Sequence, residues 1–416
     1  MRLSKQQQRW LDGESGPALQ WAMRFNKELG EFYDAECLLP IGSAHFAPDT
    51  RMAGSAGREL LDTLVADAAR IRVPGYLDPC LVDFERATQL IASGAMSEET
   101  VAADRETQRL CRMLGFLPTY TCVNYQSVTP PRFGEHLAWG DTGAAISANS
   151  LFGARSNFEG GPSALASALI GATPAYGLHL QGQRRANLVL RIDCEPREIA
   201  DWGAVAAWAG GIALGYDTVP VIYGEFAPPS FNMLKQLGVA LASHGGHAMF
   251  HLVGATPEAA SLEAACAGRV SEPDAVMGAA DLAAVYARHS LHGDDVDVVV
   301  FAAPQLAIDE VASVIDGLGE RRVHTNTRLI LAVDPQVCAQ AENAGLRARA
   351  EALGAEFTRG TCFYPEAPLL QKACGWRSLV TNSAKLVNTL AASGIEVALR
   401  RLDACLDAAT TGRLAS

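Results

Sequence analysis

The chain has 416 residues, 49% of them hydrophobic and 19% charged. At ~150 residues per domain this predicts two to three structural units, with a core large enough to need no disulfide staples. Lys and Arg number 34 against 46 Asp and Glu, a formal charge of −12, whereas a nucleic-acid binder usually carries a basic excess. Residues 1–8 lack the apolar run of a signal peptide. The uncharged stretch 160–183 holds Pro162, Pro174 and His179, and 236–257 holds three histidines. Neither matches the ~20 apolar residues that cross a bilayer, so no membrane partner is expected. The ten cysteines lack regular spacing, and reduced thiols in a cytoplasm are expected.

In chain order, residues 17–29 carry Ala18, Ala22, Phe25 and Leu29 at a helical period and stop at Gly30. Leu60, Leu61, Leu64, Val65 and Ala68 form a second stripe. Residues 83–93 and 98–114 predict two more helices, the latter capped by Ser97 with Glu98 and Glu99 at its positive end. Residues 121–185 are rich in Gly, Ser, Asn, Thr and Pro and show little periodicity. A long irregular segment is often functional, although a packed surface loop has the same look. Beyond it, apolar runs at 187–192, 218–223, 248–253, 297–301 and 328–333 predict buried strands, with a short one at 355–357. Helices are expected between them at 202–214, 230–242, 257–267, 306–315 and 336–353. That alternation predicts an α/β fold with largely parallel sheets. No repeat or flexible linker marks a domain boundary.

No dinucleotide fingerprint, phosphate loop, HExxH or CxxC occurs. Cys122 opens the irregular stretch, and Cys362 follows the short strand 355–357. Ligands of open α/β sheets lie beyond strand carboxyl ends, but a lone cysteine is more often a small buried hydrophobe. His45, His136 and His179 each suit an acid, a base, a ligand or a structural role. His244, His247 and His251 read as mainly structural. The Arg155 fork suits a carboxylate, Asn157 follows it, and residues 160–163 place backbone amides at the start of a helix. Lys385 is a second anion contact or a solvated lysine beside a helix cap. Read alone, these residues reach a small anionic ligand at an α/β site.

Several segments together resemble the aconitase X family, over nearly the whole chain. They are Leu11-Asp-Gly-Glu-Ser-Gly-Pro17, Ser43-Ala-His45, Gly134-Glu-His-Leu-Ala-Trp139 and the run from Ala148 to Asn157. Glu159-Gly-Gly-Pro-Ser163, Tyr176-Gly-Leu-His179, the run from Phe250 to Glu258, Thr361-Cys362 and Thr381-Asn-Ser383 complete them. The resemblance implies aconitase-like α/β/α units around a central cleft, spanning residues 1–400, with 401–416 as a C-terminal tail. It implies a hydro-lyase that dehydrates cis-3-hydroxy-L-proline to Δ1-pyrroline-2-carboxylate. The alternatives are the large subunit of a phosphomevalonate dehydratase and a non-catalytic anion-binding paralogue. A separate small swivel-domain subunit is implied as partner, and a small hydroxy acid as substrate. Ser43, His45, Glu135 and His179 are expected near the reacting groups. Asn149, Arg155, Ser156, Asn157, Gly161, Ser163, Asn382, Ser383 and Lys385 are expected to bind substrate, with Cys122 and Cys362 holding iron.

The third cysteine of the family, in a Gly-Cys-Pro-His-like run, is replaced here. The segment reads Ala302-Ala303-Pro304-Gln305. Alanine cannot ligate iron. The expectation is therefore an altered iron-sulfur cluster, a two-iron form among them, or mononuclear iron, or lost catalysis. Gly75-Tyr-Leu-Asp-Pro79 also departs from a Thr-Leu-Asn-Pro-like run.

Overall fold

Branched apolar runs form the central strands where their composition predicts them. A computed structural model describes residues 1–48, 55–268 and 272–414. Its largest sheet has five parallel strands, ordered Ala355–Arg359, Arg328–Val333, Val298–Leu306, Ser378–Thr381 and Glu396–Leu399. All nine residues of Val298–Leu306 are buried, because both faces of the sheet are covered. Val299 and Phe301 pack with the helices Ile308–Leu318 and Leu402–Thr411. Val298, Val300 and Ala302 face the other way, against Leu90, Met96 and Val101 from the N-terminal part and against Phe363 and Leu370.

A second parallel sheet runs His251–Leu252, Pro220–Gly224, Leu188–Ile192 and Ala275–Met277. The helices Ile199–Gly210 and Phe231–Gly245 pack on it around Trp202 and Phe250. A third, smaller sheet places Ala44–Phe46 between Gly75–Leu77 and Ala138–Trp139, again all parallel. Leu38–Pro40 pairs antiparallel with Ala172–Pro174.

The helix Glu98–Leu114 lies where the sequence places it, and the Ser97 Oγ accepts from the Thr100 amide at 3.0 Å. Other expectations need correction. Within residues 121–185 the helix expected to start at 160–163 is present as Gly161–Ile170, and a further helix, Thr142–Leu151, was not expected. Gly143 to Ser150 and Ser163 to Ile170 are buried on all sides, so these helices have no polar face and show no amphipathic period. The helix expected over 336–353 is two, Pro335–Asn343 and Leu346–Leu353, broken where Gly345 turns left-handed at φ 72°. The strand expected at 248–253 shrinks to His251–Leu252, and the helix at 257–267 to Leu262–Ala265. Within the expected C-terminal tail 401–416, Leu402–Thr411 is a helix whose Cys405, Leu406, Ala408 and Ala409 are fully buried. Residues 415 and 416 lie outside the described residues. No described helix is long and apolar enough to cross a membrane, and all ten cysteines are free thiols.

Leu406 packs against the centre of the largest sheet, and a Cβ at Gly317 would stand 2.5 Å from its Cδ1. Leu406→Ala is expected to destabilise the chain by ~2–5 kcal/mol, the range for an emptied core leucine. Equilibrium urea unfolding measures it, and a loss within experimental error would contradict a packed C-terminal helix.

Candidate active site

Two sheets deliver their carboxyl ends to one crevice. The three strands of the small sheet lead into Ala47 and Pro48, Asp78 and Pro79, and Gly140 and Asp141. Facing them, Ala355–Arg359 leads towards Cys362 and Ser378–Thr381 towards Lys385. Cys80, Ser243, Tyr364, Asn388 and Thr389 are among the other residues lining this cavity of about 500 Å³. This is where open parallel sheets bind ligands.

Asp141 caps the helix Thr142–Leu151, its Oδ1 accepting from the Ala144 amide at 2.7 Å. Lys385 sits in the first turn of the helix Ala384–Thr389 and is 8% exposed. Burial opposes its charge, but Asp141, with Cys122 and Cys362, outweighs burial and holds the ammonium above its ordinary range. Burial pushes the Cys362 thiol up to about 12 against the pull of Lys385. Burial, then Asp141 and Asp78, push Cys122 well up too. The cavity therefore presents the Lys385 ammonium, the side chains of Asp78 and Asp141 and the protonated Cys362 thiol. His45 lies fully buried behind Asp78, its Nε2 2.8 Å from the Thr121 carbonyl and 3.5 Å from Asp78 Oδ1. Burial lowers its pKa, so the ring is neutral.

Of the residues expected from sequence, Cys362 and Lys385 line this cavity, and Cys122 and His45 stand next to its wall. Most others gather in a second cluster. There His136 Nδ1 and His179 Nδ1 are 2.9 Å apart, and His179 Nε2 is 3.9 Å from Glu159 Oε1. Glu159 accepts from Thr173 at 3.0 Å and from Ser163. The Arg155 fork donates to the His179 carbonyl at 2.8 Å and to Gln181, so its hydrogen bonds serve the fold. Asn149 donates to the carbonyls of Ser156 and Ala248 and accepts from the Ser156 amide. Asn157 holds Tyr176, Leu178 and Tyr216. The Ser156 Oγ accepts from the Trp139 amide, and the Ser43 Oγ from the indole of Trp139, each at 3.1 Å. Glu135 accepts from the Arg132 amide at 2.8 Å. Gly161 opens its helix beside a small apolar pocket lined by Phe46 and Leu165. Asn382 lines a separate cleft with Asn232 and Asp309. Ser383 caps its helix and donates to the Ala303 carbonyl at 2.5 Å. His244, His247 and His251 each bond a backbone carbonyl, in keeping with a structural role.

Asp78, Asp141, Tyr364 and Asn388 went unnoticed in the sequence. Asp78 directly follows a three-residue strand and Asp141 comes two residues after a two-residue one, and Asp141 has the signature of a helix cap, which hides its second role.

Three family models match the chain end to end: Aconitase X first domain over residues 1–182, second domain over 186–287 and third domain over 296–411. The chain belongs to the aconitase X family. It is 32% identical to a phosphomevalonate dehydratase large subunit of Thermococcus kodakarensis, covering 96% of this chain and 97% of that one. It is also 32% identical to a cis-3-hydroxy-L-proline dehydratase of Pseudomonas aeruginosa, covering 99% of this chain and 70% of that one. The crystal structure of holo aconitase X from Thermococcus kodakaraensis superposes with a TM-score of 0.87 at 29% identity, covering 98% of this chain and all of the other. Within the aconitase X frame, the donor set here does not suit a three-cysteine cluster. Residue 303, where the resemblance expects the third cysteine, is alanine, and among the described residues no three His, Cys, Asp or Glu side chains group to hold a metal ion.

The second cluster carries its own pH signature. Partial burial, then His179 and Arg155, lower His136 from the ordinary 6.5 to about 4. The unfolded chain takes up this proton at higher pH than the folded one, so stability is lost as pH falls from about 6.5 and levels off below about 4. The slope of unfolding free energy against pH in that window should shrink in His136→Gln. An unchanged slope would place the perturbed histidine elsewhere.

Proposed function

We propose that this chain is the large subunit of a hydro-lyase that dehydrates a small cyclic hydroxy amino acid, with cis-3-hydroxy-L-proline as substrate. The observation that carries this reading is the mixed charge of the cavity. Its described lining bears one cation, Lys385, opposite Asp78 and Asp141. A zwitterion with one carboxylate and one ring ammonium complements that arrangement. A phosphorylated hydroxy acid adds about two negative charges and offers no cation to the aspartates. The relative from Pseudomonas aeruginosa, named a cis-3-hydroxy-L-proline dehydratase, supports the same substrate.

The residues of the chain divide the work. Lys385 receives the substrate carboxylate. When the α-proton leaves, negative charge grows on the carboxylate oxygens, and a buried ammonium stabilises it far better than water-screened charge would. Asp141, fixed by its helix cap, and Asp78, backed by His45, face the ring ammonium. The electron pair left at Cα forms the carbon–carbon double bond as the carbon–oxygen bond breaks, the hydroxyl leaves as water with a proton taken up in exchange for the α-proton, and the enamine tautomerises to Δ1-pyrroline-2-carboxylate. The proton acceptor is assigned to a separate small swivel subunit, whose closure also excludes water. Relatives named large subunits support such a partner. So does the cis-3-hydroxy-L-proline dehydratase of Pseudomonas aeruginosa, whose length extends beyond the match.

Purified alone, the chain should turn over neither substrate. Reconstituted with its small subunit, it should dehydrate cis-3-hydroxy-L-proline and leave phosphomevalonate untouched. Turnover of phosphomevalonate alone would overturn the substrate. No turnover of either, with L-proline still bound, would favour the non-catalytic paralogue.

In the same assay, Lys385→Met should lower kcat/KM by about 10–100-fold, matching the ~1.5–3 kcal/mol of a hydrogen bond to a charged group. Wild-type kinetics in that variant would remove Lys385 from the site.

A further inference from the structure

We propose that this chain does not assemble a three-cysteine iron-sulfur centre, and that Cys122 instead forms, with Gln305, a lock beneath the cavity. The two residues bind each other reciprocally. The Cys122 amide donates to Gln305 Oε1 at 3.1 Å, and the Gln305 amide donates to Cys122 Sγ at 3.5 Å. The thiol in turn donates to Gln305 Oε1 at 3.7 Å. For this sulfur to ligate a metal it would have to give up its proton and break its contacts with Gln305.

Gln305 extends the lock. Its Nε2 offers two hydrogens to three carbonyls, those of Tyr120 at 3.2 Å, Val333 at 3.4 Å and Thr361 at 3.3 Å. These belong to the loop before Cys122, the end of the strand Arg328–Val333 and the loop that carries Cys362. One amide therefore joins three segments that run far apart in sequence. Both partners are buried, Gln305 at 2% and Cys122 at 7% exposure, where each unmade hydrogen bond carries its full desolvation cost. A neutral histidine at this position, as in the resembling Gly-Cys-Pro-His run, has one N–H to offer where the glutamine amide has two. The loss of the cysteine at 303 and the gain of the glutamine at 305 thus read as one change, from ligand set to lock. Beside them, the Ala303 carbonyl is tied by Ser383.

The proposal concerns metal and stability, so its failure is separable from that of the dehydratase reading. The chain is produced anaerobically with its small subunit and supplied with iron and sulfide, and bound iron and labile sulfide are measured per chain. The wild type is expected to hold sub-stoichiometric iron, with no visible charge-transfer band, and Cys122→Ser is expected to match it. Ala303→Cys combined with Gln305→His is expected to raise iron content. Cys122→Ala and Gln305→Ala should each lower the melting temperature, and the double variant should lose less than the sum of the two, as coupled residues do. Near-stoichiometric iron in the wild type, with or without sulfide, overturns the proposal. So does strict additivity of the two alanine variants. If either alanine variant fails to accumulate, Cys122→Ser and Gln305→Asn complete the cycle.

Discussion

Parallel strands all end on the same side, and two sheets here end towards each other. The small sheet sends Asp78 and Asp141 past its carboxyl edge, and the large one sends Cys362 and Lys385. Loop residues at such an edge lose the ladder that would satisfy them, so they have to find partners in caps, in one another or in a ligand. Asp141 takes a helix amide and Ser383 the Ala303 carbonyl within the strand Val298–Leu306, while Gln305, near the end of that strand, takes three carbonyls. The crevice is what the topology leaves between them.

Charge in that crevice is balanced rather than strong. A buried ammonium is costly unless opposite charge stands near it, and Asp141 provides that charge to Lys385. Burial first, with Asp141 and Asp78 adding to it, keeps the neighbouring thiols protonated. A site poised in this way selects ligands by the arrangement of their charges. Net charge matters less, which is why the −12 of the whole chain says little about what enters.

The α/β class, the strand runs at Val298–Leu306 and Arg328–Val333 and the helix Glu98–Leu114 were legible because composition and period act locally. The helix Thr142–Leu151 was not, since burial on every side erases the polar stripe that marks a helix. The cavity was half legible. Cys362 and Lys385 stood out by context, whereas Asp78 and Asp141 follow strands of three and two residues that hardly register as strands. Arg155 and Asn157 stood out as well, yet their polar atoms brace backbone carbonyls. A polar residue in an irregular segment advertises hydrogen bonding without saying whether its partner is a ligand or the chain itself.

Leu90, Met96 and Val101 belong to the first family domain but share a core with Val300, Phe363 and Leu379 of the third. Prising those units apart would open apolar surface to water at ~25 cal/mol per Å². The two walls of the crevice consequently behave as one rigid jaw. A hinge motion between them would have to break that shared core.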